Sequence, residues 1–158
     1  MARVTKILLT LHVLAAIVAV GPVAVAASMF PPAARRALTG TDGPDAGVTT
    51  VRLLHRICRM YGAVGLAVPL FGFATASAMG VLGSGWLIAS ITLTAVAAGI
   101  LIAFVLPRQG ELLEELDAQR PVERAGTVQL AMFTGIFNLL WATVTVLMII
   151  RPGSTTGA

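Results

Sequence analysis

The stretch WLIASITLTAVAAGILIAFVL, Trp86 to Leu106, carries no Asp, Glu, Lys, Arg or His. Its length decides how it is read. Buried strands run about 4–8 residues, whereas roughly 20 apolar residues in a helix cross the hydrocarbon core of a bilayer. A helix apolar on every side belongs inside a large protein or inside a membrane. Working outward, three more such runs appear, at about Ile7–Phe30, Ile57–Leu82 and Val128–Ile150. Pro31-Pro32, Pro107-Arg108 and Arg151-Pro152 read as their ends, because proline removes a helical donor and restricts the residue before it. Gly83-Ser84-Gly85 reads as a short link between the second and third runs.

Composition removes the soluble alternative. Of 158 residues, 57% are hydrophobic and only 11% charged, and a mean hydropathy of +0.91 cannot be hidden inside 16.3 kDa. Lipid must be the solvent for much of the chain. The expected fold is therefore an all-α integral membrane protein, a four-transmembrane-helix bundle forming one domain over residues 1–158, with a flexible tail over 151–158. The net charge of +4 comes from scattered basic residues with no dense tract and no aromatic platform, which argues against nucleic acid as a partner. Arg3 and Lys6 before an apolar run ending Ala24-Val25-Ala26-Ala27-Ser28 resemble a signal peptide. That run is longer than a signal's apolar region and contains His12, so the first span is expected to stay in the mature protein.

Basic residues set the expected orientation. Arg3, Lys6 and Arg151 lie on one side, while Arg35, Arg36, Arg52, Arg56, Arg59, Arg108, Arg120 and Arg124 lie on the other. Both long loops are thus expected in the cytoplasm and both termini outside, in a bacterial cytoplasmic (plasma) membrane. Within the first loop, Thr39–Thr50 reads as flexible chain that becomes helical at Thr49-Thr50. Arg52, Arg56 and Arg59 follow at i, i+4 and i+7, which puts three guanidiniums on one helix face. The other loop carries an acidic turn of Glu111, Glu114, Glu115 and Asp117. The plain expectation is that the two loops pair with each other; the functional one is that the arginines hold anionic lipid headgroups or a partner's acidic loop.

Well within the spans, away from their ends, the only ionisable side chain is His12, and no Asp, Glu, Lys or Arg lies there, which takes most of the weight from ion-coupled transport. His12 is a candidate axial ligand for haem iron or a donor to a quinone carbonyl, with an interhelical hydrogen bond the favoured plain reading. His55 is not its partner ligand, because the 18 residues from His12 to Phe30 already rise about 27 Å; His55 reads as a headgroup-level or loop-pairing residue. Two stripes of small and polar residues follow helical spacing: Gly65, Pro69, Gly72, Ala76 and Gly80 in the second span, and Gly135, Asn138, Ala142 and Thr145 in the fourth. Each is read as a helix-packing face, or a partner interface where the bundle leaves it free. Pro22 and Pro69 are expected to bend their spans and open a small groove. Cys58 stands alone, so no disulfide or cysteine metal cluster forms, and no catalytic motif is present. Tyr61 and Trp86 sit where interfacial anchors belong.

Leu11-His12-Val13-Leu14-Ala15-Ala16-Ile17, Val20-Gly21-Pro22, the Arg52-Leu53-Leu54 to Tyr61-Gly62 stretch and Gly72-Phe73 together resemble a family of uncharacterised bacterial, especially actinobacterial, four-span integral membrane proteins. More distantly, the Leu-His pair opening the first span is similar to that of CopD-like copper-resistance proteins and small haem-binding membrane proteins, which implies a ligand or redox role for His12. The leading expectation is an interaction or accessory subunit that packs on itself or on a larger membrane complex, with lipids as neighbours and no required cofactor. The alternatives are a redox protein holding haem b or quinone at His12, and a carrier of lipid or a small apolar molecule in the Pro22/Pro69 groove.

Overall fold

The computed structural model describes residues 2–39, 44–120 and 124–153. Helices α1 (Ala2–Thr39), α2 (Pro44–Val64), α3 (Ala67–Met79), α4 (Gly85–Ile100), α5 (Leu106–Asp117) and α6 (Arg124–Ile150) account for nearly all of them, with a π-helical turn, Leu101–Val105, joining α4 to α5. No strand occurs among the described residues. Four stretches are long and apolar enough to cross a membrane: Arg3–Thr39, Ala46–Met79, Gly85–Asp117 and Arg124–Ile150. Large apolar side chains cover their outer faces, with Leu139 70% and Ile149 75% exposed. Such surfaces are stable only where hydrocarbon replaces water. The tail expected over 151–158 lies outside the described residues from position 154 onward.

The prolines act differently from expectation. Pro31 and Pro32 do not end α1, which continues to Thr39. They remove the donors that would reach the carbonyls of Ala27 and Ser28. Phe30 and Ala34, fully buried in one cluster with Val51, Leu54 and Cys58, hold this part of the helix against α2. Tertiary burial thereby overrides the local break. Pro107 likewise does not terminate the third span. The Leu106 N–H reaches back to the Leu101 carbonyl, and this wider turn lets the helix pass the proline ring and run on to Asp117. The first loop is also more ordered than expected: α2 starts at Pro44, a favoured first helical residue, while positions 40–43 lie outside the described residues.

Span two is broken where its proline demands it. Pro69 has no N–H for the Gly65 carbonyl, which instead accepts from the Val68 N–H at 3.1 Å, and a turn at Gly65–Leu66 separates α2 from α3. α3 stops at Gly80, whose φ of +69° favours glycine. The expected stripe is therefore interrupted: Gly65 sits in the break and Gly80 in the cap, leaving Pro69, Gly72 and Ala76 on α3 itself. Pro22, in contrast, lies within an unbroken α1.

α1 is the centre of the arrangement, packing on α2, α3 and α6, while α4 packs on α6 and α2 on α5. Spans two and three meet at their short turn, where Ala76 contacts the cluster of Trp86 and Leu87, and at the other end, where α2 meets α5. Between these points neither α2 nor α3 packs extensively on α4. That gap positions the site.

Candidate functional site

A cavity of about 280 Å³ fills the gap. Ala19 and Val23 of α1 form one wall, Tyr61, Gly62, Leu66 and Pro69 the wall at the span-two break, Ala98 and Leu101 the third-span wall, and Phe137 and Trp141 the α6 wall. Both proline-induced irregularities, the Gly65–Leu66 turn and the π-helical turn, contribute to it. The lining is almost wholly apolar. The polar side chains on it are Arg59, Tyr61 and Thr94; the indole Nε1 of Trp141 is enclosed within the protein and has no hydrogen-bond partner among the described residues.

Arg59 lies at the mouth and also belongs to a second, shallower basin of about 390 Å³ formed with Arg52, His55, Arg56 and Met60. The expected face of Arg52, Arg56 and Arg59 is thus assembled on α2. Arg52 donates to Asp117 of α5 at 2.8 Å, both side chains being about half exposed, a geometry worth about 0–1 kcal/mol. Arg108 pairs with Glu111 within α5. The loops therefore pair through Arg52, but Arg56 and Arg59, like Glu114 and Glu115, have no ionic partner among the described residues.

Beneath the basin lies a polar network that the sequence reading missed. The His55 Nδ1–H donates to Gln109 Oε1 at 3.2 Å, and Gln109 Nε2 donates to Cys58 Sγ at 3.5 Å. Gln109 is fully buried. Its signal was available: Val105, Gln109, Leu112 and Leu116 follow the spacing of a buried helix stripe, with glutamine in an apolar position. Sequence alone does not say which group answers it.

His12 packs elsewhere. Its Nδ1–H donates to the Val68 carbonyl at 2.9 Å, which fixes the tautomer because a carbonyl only accepts. Its ring lies against Gly72, where a Cβ would come 2.8 Å from His12 Cε1. His12 does not line the cavity, nor does His55, so the cavity walls supply no imidazole to a haem iron; they fit an apolar ring or chain. Among the described residues no group of three or more His, Cys, Asp or Glu is placed to hold a metal ion. The α6 stripe also divides. Asn138 turns to α1 and donates to Ser28 Oγ at 3.0 Å, while Gly135 and Ala142 face outward and nothing lies within 4 Å of a Cβ built on Gly135. Comparison with known protein families, characterised proteins and solved structures finds no match for this chain.

Proposed function

We propose that this is a multi-pass protein of a bacterial cytoplasmic membrane, with both termini outside, that binds one chain or ring of an apolar molecule taken from the bilayer. The observation that carries this reading is the apolar cavity at the span-two break, walled by Tyr61, Leu66, Leu101, Phe137 and Trp141. Ligand sites are commonly apolar hollows of roughly 300–1,000 Å³ with a few polar groups that fix orientation. At about 280 Å³ the cavity suits a single chain or ring. Gly62 provides the test. An added Cβ there meets Leu101 Cδ2 at an ordinary 3.5 Å, so Gly62→Leu fills the space without forcing the backbone. Lipid extracts of protein purified in mild detergent, analysed by mass spectrometry, are expected to contain a near-stoichiometric apolar species that Gly62→Leu loses. Equal recovery from both proteins would sink the reading.

One observation favours a second reading, the accessory subunit. The smallness of Gly135 is not used inside the chain, since open space surrounds it, and with Ala142 it leaves a shallow notch on α6 of the kind that lets membrane helices approach closely. In this reading a second copy or another membrane protein packs there. Gly135→Leu is then expected to abolish cross-linked dimers or a co-purifying subunit; unchanged association would exclude that face.

A further inference from the structure

The cavity and the basin share one residue, Arg59, and that sharing identifies the ligand more closely. We infer that the bound molecule is an anionic lipid, its phosphate held by Arg56 and Arg59 in the basin and one of its chains laid into the cavity. The inference rests on the cavity reading above and adds the headgroup to it.

Charge, spacing and depth agree. Arg52 is neutralised by Asp117 at 2.8 Å, whereas Arg56 and Arg59 carry positive charge with no carboxylate against them among the described residues. The acidic groups of the neighbouring α5 do not change this, since Asp117 and Glu111 are engaged with Arg52 and Arg108, and Glu114 and Glu115 form no ion pair with α2. Residues three apart on a helix have Cβ atoms about 5–6 Å apart, close enough for two guanidiniums to share the oxygens of one phosphate, each offering a planar fork of donors. Arg59 can lay its aliphatic stem along the cavity mouth while its charged head stays at the interface. Arg59 and Pro69 in the cavity wall lie ten positions apart across the Gly65–Leu66 turn, at most roughly 15 Å of helical rise, which falls within one leaflet of a hydrocarbon core about 30 Å thick. A lipid in the leaflet on the loop-bearing side already spans that depth. It needs only to move sideways between spans two and three.

Bromine on an acyl chain quenches tryptophan on contact, and Trp141 stands in the cavity wall. The full chain carrying Trp86→Phe, so that Trp141 alone reports, would be reconstituted into phosphatidylcholine vesicles. Increasing mole fractions of chain-brominated phosphatidylglycerol, or of phosphatidylcholine with the same brominated chains, would then be introduced. Half-maximal quenching is expected at a several-fold lower mole fraction of the anionic lipid. The Arg56→Gln/Arg59→Gln variant should lose that preference and keep the response to phosphatidylcholine, and Arg56→Lys/Arg59→Lys should retain part of it. Equal quenching by the two lipids in the unsubstituted site overturns the headgroup assignment while leaving the cavity reading standing. Quenching that Gly62→Leu does not diminish with either lipid overturns the cavity reading as well. Inorganic phosphate at millimolar concentration should not abolish the preference; if it does, the basin is a free-anion site and the lipid assignment fails.

Discussion

Gly47→Val should unseat the loop-bearing half of the molecule and lower its stability by about 3 kcal/mol, the upper end of what overpacking costs in a well-packed core. Gly47 is buried where α2 crosses α1, and a Cβ built there comes 2.8 Å from Ala37 Cα and 2.9 Å from Ala37 Cβ. The first of these atoms is backbone. No side-chain rotation relieves it, so the two helices must part. α1 and α2 form the most extensively packed pair in the chain, and Phe30, Ala34, Val51 and Leu54 lie buried along their contact; separation loosens all four together. The measurement is the unfolding midpoint in mixed micelles of mild detergent and dodecyl sulfate. Gly110→Val on α5 is the control, because nothing lies within 4 Å of its Cβ position and valine is the better helix former. A Gly47→Val midpoint as high as that of the control would refute the close approach of the two helices.

The contrast between those two glycines shows what was legible in the sequence and what was not. Nothing near Gly47 in the sequence distinguishes it from Gly110, because the difference is Ala37 on another helix. The four spans were legible, since length and the absence of charge are local properties. Their ends were misread at Pro31-Pro32 and Pro107 for a physical reason. A sequence displays the lost hydrogen bond, but it does not display the burial of Phe30 and Ala34, or of Leu112 and Leu116, that carries the helix onward. At Pro69 the bend was expected and occurs, displaced one turn toward the N-terminus, because the donor that proline lacks serves the carbonyl four residues back, at Gly65. The arginine face of α2 was legible from spacing alone; that Asp117 neutralises Arg52 and leaves Arg56 and Arg59 without a carboxylate is set by how α5 lies on α2. The cavity had no local signal beyond its prolines. It exists because spans two and three part between their two points of contact, which is a property of the assembled chain.

His12 presents the same limit in its most testable form, since its acceptor is the Val68 backbone carbonyl, a group every residue type provides. Gly72→Ala should be destabilising by about 1–3 kcal/mol, because the new methyl would stand 2.8 Å from His12 Cε1 and 3.1 Å from Nδ1, forcing the ring off its notch and breaking the bond to Val68. His12→Ala should cost less, about 0.6 kcal/mol, the mean for hydrogen bonds between membrane helices, and no more than about 1.7 kcal/mol. The double variant is the decisive one. With the ring gone, the methyl at position 72 enters vacated space, so the two costs should fail to add by about 1 kcal/mol or more, well beyond the few tenths expected of independent sites. Additivity would mean that the imidazole does not rest on Gly72 and that the α1–α3 contact is held by something else. The cycle also separates a structural histidine from a ligand. A packing histidine, once removed, is compensated by the second substitution. A histidine that holds haem is not, and an absorption band lost in His12→Ala and still missing in the double variant would transfer His12 from the packing of two helices to the binding of a chromophore.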